Sequence, residues 1–136
     1  MIVAARDDEH RPAVSRAWGP SLSEDGGRLA LSVEAAPDSA MARNLKPGSP
    51  LAVMLHGLVS FTSVQLKGSV VDVAGATQDR LDAVADHVDR FIAETGEVGV
   101  PEILARGLVG SELVAVTIEV TERFDETPGS GGGRPL

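Results

Sequence analysis

The sequence predicts a mainly β protein, a barrel or strongly curved sheet of antiparallel strands with flanking helices. Three observations carry that prediction. Valine occurs 17 times against three Phe, one Trp and no Tyr, a composition suited to pleated, half-buried surfaces. Several apolar stretches alternate with a period of two and are joined by short turns rich in Gly and Pro. Only two stretches have clear helical signals, too few for a parallel sheet, which needs a crossover after nearly every strand.

Residues 1–11 end in mixed charge and carry little pattern. Pro12–Trp18 alternates loosely and stops at Gly19-Pro20, a turn signal, so it reads as a first strand. Ser23-Glu24-Asp25-Gly26-Gly27 is a hairpin turn. In the strand after it Leu29, Leu31, Val33 and Ala35 share one face. Asp38 or Ser39 caps a short helix running to Lys46, and Pro47-Gly48 ends it. Leu51–Leu55 is continuously apolar, as expected of a strand covered on both faces.

Phe61–Val73 is a longer strand. Val64, Leu66 and Gly68 form one face, and Ser63, Gln65 and Lys67 form the other. The apolar positions then shift to Val71 and Val73, which predicts a bulge at Gly68. Thr77–Thr95 is the one long amphipathic helix, with a stripe of Leu81, Val84, Ala85, Val88, Phe91 and Ile92. Thr77 is its expected N-cap, Gly96 its expected stop, and Asp86–Arg90 an i,i+4 pair. Pro101–Arg106 adds a turn or two of helix, and Glu112–Phe124 is the last strand. The expected organisation is a single domain over residues 1–124, followed by a disordered tail over 125–136, where Pro, Gly and Ser dominate.

Charge and composition exclude several function classes. A net charge of −8 with only two Lys argues against a nucleic-acid partner, whose phosphates need clustered cations. No apolar run approaches the roughly 20 residues that span a bilayer, and Arg6-Asp7-Asp8-Glu9 interrupts any leader-like start. The expectation is a cytoplasmic protein without a membrane partner. Absence of Cys removes thiolate metal sites and thiol catalysis. His10, His56 and His87 show no metal-ligand spacing, so no metal site is expected. His87 reads as a solvent-edge residue on the long helix. His56 ends a strand before Gly57, where a loop would bring it to a pocket. No nucleophile elbow or phosphate-binding glycine motif is present.

The stretch from His56 to Gly68 (HGLVSFTSVQLKG) is the most informative. Thr62, Ser63, Gln65 and Lys67 gather hydroxyl, amide and ammonium groups within six residues. They form either the solvated side of a two-faced strand or a polar rim for an anionic or amide-rich ligand.

Four segments together carry a family resemblance: RPAVSRAWG (11–19), GRLALSV (27–33), NLKPGSPLAV (44–53) and SFTSVQLKG (60–68). In this order they resemble the pyridoxamine 5′-phosphate oxidase-like, FMN-binding split-barrel superfamily, as a divergent member, across most of residues 11–124. The resemblance implies an antiparallel split barrel that forms a homodimer, with FMN in a groove between subunits. It further implies a flavin-dependent oxidoreductase acting on a small molecule. Ser39 matches the family's phosphate-gripping Ser, but Ala40-Met41 stands where two cations are usual. Arg43, one helical turn on, is the substitute. Thr62, Ser63, Gln65 and Lys67 match the strand lining the flavin's polar edge. No catalytic residue transfers. Two alternatives stay open: a non-enzymatic dimer that has lost flavin, and a haem- or deazaflavin-binding relative served by His56 or the same groove.

Overall fold

A computed structural model describes residues 1–136. Seven strands and three helices follow in the order β1 (Ile2–Arg6), β2 (Pro12–Leu22), β3 (Arg28–Glu34), α1 (Ala40–Asn44), β4 (Pro50–His56), β5 (Ser63–Ala74), α2 (Gln78–Glu97), α3 (Glu102–Arg106), β6 (Leu113–Asp125) and β7 (Arg134–Pro135). Every pairing is antiparallel. Hydrogen-bonded order runs β3-β2-β1-β4-β5-β6, and β3 pairs β6 to close a six-stranded barrel; β7 adds to β6 outside it. Closure leaves no long free edge.

The barrel interior is aliphatic. Val3, Leu31, Val33, Val53, Val70, Val116 and Ile118 are all fully buried there. Burying one such side chain is worth about 1.5–3 kcal/mol, so the interior dominates stability. Because side chains alternate, the residues between them point outward. One outward row crosses five strands through successive partners: Arg16, Ile2, Met54, Gln65 and Phe124. The next row is Val14, Ala4, Ala52, Lys67 and Glu122.

Several expectations change in detail. Residues 2–6, weakly patterned in sequence, form β1 between β2 and β4; its Val3 and Ala5 fill the core while its outward Ala4 is small, which hides the alternation. The segment Gly19-Pro20 does not end β2. Gly19 adopts a φ of 61° within a register irregularity, and the strand continues to Leu22. The bulge at Gly68 is present, but Val70 remains in the core and a second register shift between Val70 and Asp72 brings Val73 inward. A Cβ on Gly68 would overlap the Glu119 carbonyl oxygen, so the bulge requires glycine. Ser39 and Thr77 cap α1 and α2 as expected. Gly96 lies inside α2, whose cap is Val98. Of residues 125–136, expected to be a disordered tail, Asp125 ends β6 and the rest turns back, pairing β7 with Phe124 and Asp125.

Candidate functional site

Helix α2 lies outside the barrel against β2. Its Val84 and Val88 bury Trp18, and Phe91 meets the Trp18 ring edge-on at 5.3 Å between centroids. The seam is fixed by Gly19, whose missing side chain lets the two backbones touch: a Cβ there would sit 2.8 Å from Ala83 C and Val84 N. Arg80 donates to the Gly19 carbonyl and, at 3.2 Å, to Ser21 Oγ. The Gly19 N–H donates to His87 Nδ1 at 3.1 Å.

His87 is therefore no solvent-edge residue. Its Nδ1 lone pair is occupied, which puts the proton of the neutral ring on Nε2. Burial, chiefly, and then the N-terminal amine and Arg90 lower its pKa to about 4; Glu94 opposes them. Neutral His87 is thus a hydrogen-bond donor at physiological pH.

Between α2, the outward row and the β4–β5 loop lies a cavity of about 800 Å³. Ile2 and Met54 form its floor, Trp18, His87, Arg90 and Phe91 one wall, and Leu55, His56, Leu58 and Thr62 one end. Glu94 Oε2 accepts from the Leu58 N–H at 3.3 Å and ties helix to loop. Arg16 donates to the Leu108 carbonyl at 3.3 Å, which brings the segment after α3 over the opposite end. The expected Asp86–Arg90 ion pair is not made, and Arg90 instead lines the cavity. Two guanidinium groups, two imidazoles and a mostly apolar lining suit a flat ligand that carries acidic groups.

The residues singled out from the sequence fall in three places. Thr62 lines the large cavity, and Gln65 is the cross-strand partner of its floor residue Met54. Ser63, only 5% exposed, bonds His56 Nδ1 through Oγ at 2.5 Å. Lys67 lies one row away, its ammonium 4.5 Å from the Phe124 ring centroid. It borders a second cavity of about 500 Å³ with Arg6, His10, Ser69 and Thr121 above a floor of Ala4, Ala52 and Gly68. Ser39 and Arg43 are elsewhere and locally engaged: Ser39 Oγ accepts from the Ala42 N–H at 3.1 Å, and Arg43 donates to the Asp38 carbonyl. The cavity beside Ser39 is lined by Glu34 and Glu112 and by no cation, so within one chain it offers a phosphate dianion no counter-charge.

Sequence patterning missed Arg16, Arg90 and His87. Arg90 and His87 flank the apolar stripe of α2, where helix-edge positions look solvated until the helix is docked. No cluster of three or more His, Asp or Glu has metal-binding geometry. No helix is long and apolar enough to cross a membrane.

No family model matches the chain, and no curated protein matches it. Among solved structures it is similar to a histidine-to-alanine point variant of HupZ from Group A Streptococcus, at a TM-score of 0.51 and 13% identity over 91% of this chain and 86% of that one. It is also similar to a pyridoxamine 5′-phosphate oxidase-related, FMN-binding protein from Nostoc punctiforme (TM-score 0.44, 12% identity, 96% and 75% covered). A third is a heme binding protein from Mycobacterium smegmatis (TM-score 0.46, 19% identity, 99% and 50% covered). At such identities a likeness speaks to fold alone. The closed antiparallel barrel with its external long helix is the split-barrel fold that the sequence resemblance implied.

Proposed function

We propose that this split barrel is a cofactor-binding protein whose cavity between α2 and the barrel would hold haem, with His56 the residue that would bind its iron. The observation that carries the reading is the donor set of that one cavity. His56 reaches it with Nδ1 already bonded to Ser63, while Arg16 and Arg90 stand on a lining whose other half is hydrophobic and whose one carboxylate, Glu94, is tied to the Leu58 N–H. Haem, when bound, supplies an iron that accepts an imidazole nitrogen and a flat apolar ring bearing carboxylates. The roles of the chain's own residues follow from their chemistry. His56 offers Nε2 to a metal. Arg16 and Arg90 would pair with carboxylates, and Ile2, Met54, Leu58 and Phe91 would exclude water. His87 is excluded as a ligand because its Nδ1 accepts from Gly19 and its Nε2 carries the proton; it serves as a donor.

The test is titration of the purified chain with hemin, followed through the Soret band. The expected result is a saturable shift at one equivalent, with affinity lowered roughly 10- to 100-fold by His56→Ala, a loss on the scale of disturbed metal-site shells. His87→Gln is expected to keep the ligated spectrum. An unchanged spectrum and affinity in His56→Ala would remove this reading.

A second reading keeps FMN and rests on a different surface. The cavity at Lys67 presents Lys67, Arg6 and His10 over small residues, three basic groups against the one carboxylate of Glu122, a platform for a planar anion. The neighbouring outward residues Val14 and Ile2 are 66% and 47% exposed, apolar area that a second copy would cover. This reading needs a homodimer that brings Ser39 and Arg43 of the partner copy toward the same groove, and a flavin-dependent oxidoreductase acting on a small molecule would follow from it. Quenching of added FMN fluorescence, weakened by Lys67→Ala, with a dimer by light scattering, supports it. A monomer that leaves FMN fluorescence untouched overturns it.

A further inference from the structure

We propose that Ser63 is a positioning residue that holds His56 in the tautomer with its proton on Nδ1, so that Nε2 is left with a bare lone pair. The proposal rests on the haem reading for its purpose but not for its test.

Ser63 opens β5 opposite His56, its cross-strand partner at the end of β4. Its hydroxyl is 2.5 Å from His56 Nδ1 and 3.4 Å from the Phe61 carbonyl oxygen. The hydroxyl has one proton. Donated to Phe61, it satisfies a carbonyl that has no other partner in the chain, and Ser63 Oγ then accepts from His56 Nδ1–H. Donated to His56 instead, it leaves that carbonyl without a protein partner and puts the imidazole proton on Nε2, where it blocks a metal. The first arrangement pairs every group and leaves the lone pair free on Nε2, the nitrogen that Ser63 does not hold.

The segment after β6 makes the arrangement rigid. The Ser63 N–H donates to Thr127 Oγ1 at 3.1 Å, and the Ser63 carbonyl accepts from the Glu126 N–H at 2.8 Å. Thr127 is held in turn, its N–H donating to Asp125 Oδ1 at 2.9 Å. Ser63 is thus gripped on both sides of its backbone, and its hydroxyl has little freedom to leave His56. Burial of Ser63 keeps water from competing for the same bond. This gives a reason for Ser63 beyond contact with a ligand: it lies behind the histidine, where a hydrogen-bond partner fixes ring orientation and raises basicity at the far nitrogen.

The experiment is a long-range ¹H–¹⁵N correlation spectrum of the imidazole rings in the ligand-free full chain, near pH 7.5. The expected result is a His56 spectrum with protonated Nδ1 and lone-pair Nε2, opposite to the form that free histidine favours in water. Ser63→Ala is expected to return His56 to the Nε2–H form and to weaken hemin binding roughly 10-fold. Ser63→Thr, which keeps a hydroxyl and suits a strand, is expected to restore both. Thr127→Val is expected to shift the tautomer balance part of the way. A wild-type His56 already in the Nε2–H form, or a Ser63→Ala spectrum identical to wild type, overturns the proposal. Should Ser63→Ala fail to fold, the wild-type and Ser63→Thr spectra still decide it. If the tautomer is as proposed while hemin binding ignores His56→Ala, the haem reading fails and the positioning role stands.

Discussion

The inside of the barrel and the seam between α2 and β2 are held together by different physics. The interior is a continuous aliphatic mass in which each side chain is backed by several others. The seam has three buried apolar residues, Trp18, Val84 and Val88, and depends on a few keyed contacts at Gly19, Arg80 and His87. The interior determines whether the chain folds. The seam determines whether the large cavity has a wall. The contrast teaches that folding and the formation of the large cavity are separable here, because the cavity is built on the outside of a barrel that is complete without it.

Truncating the interior gives the largest effect. Leu31 is fully buried in the barrel, and Leu31→Ala is expected to lower unfolding free energy by about 4 kcal/mol through lost burial and an unfilled cavity. Urea denaturation measures the loss. Hemin affinity of the remaining folded protein is expected to match wild type, since no cavity-lining residue changes. A large change in that affinity would show that the two regions are coupled.

Gly19→Ala attacks the other side of the comparison. The residue has a φ of 61°, and the new methyl would meet the α2 backbone at 2.8 Å. Neither contact atom is on a flexible side chain, so the helix must move or β2 must deform. The expected cost is about 3 kcal/mol. Unlike the interior mutant, this one is expected to abolish hemin binding in protein whose barrel remains folded by far-UV circular dichroism. Retained binding would mean that the α2 wall is not needed.

The same division explains what can be read from the sequence. Strands with one buried face announce themselves by alternation, as in Leu29–Val33, and α2 by its stripe. The pattern fails where outward residues are small, as with Ala4 in β1, because alternation between valine and alanine has little contrast. It also fails at the site. Thr62, Ser63, Gln65 and Lys67 are visible as a polar strand face, and β4–β5 pairing sets Ser63 beside His56, yet bringing Arg90 to them depends on which side of the barrel α2 covers. That choice is made by Gly19, which in sequence looks like part of a Gly-Pro turn. Ser39 and Arg43 fit a phosphate by spacing alone, and Glu34, at the end of the preceding strand, is already visible in sequence, but Glu112, just before β6, joins it only on folding.

The smallest expected effect is the pH response of the seam. His87 titrates near 4 in the folded chain, against about 6.5 when unfolded. At intermediate pH the unfolded chain therefore binds the extra proton, and stability rises with pH. The contribution is complete above about pH 6.5 and is lost as pH falls toward 4. Between pH 7 and pH 5 the two pKa values alone correspond to about 2 kcal/mol, which solvent screening of the half-buried ring reduces to about 1 kcal/mol. Protonation would place a second N–H opposite the Gly19 N–H and a positive charge beside Arg90 and the N-terminal amine; Glu94 alone compensates. His87→Gln retains an acceptor for Gly19 but cannot titrate, so its stability between pH 7 and 5 is expected to be flatter by that smaller amount. Carboxylates elsewhere titrate equally in both proteins, so the difference between the two urea-denaturation curves isolates the seam. Parallel curves would mean that the imidazole is free to swing into solvent when charged, and that Gly19 and Arg80 alone lock the helix to the barrel.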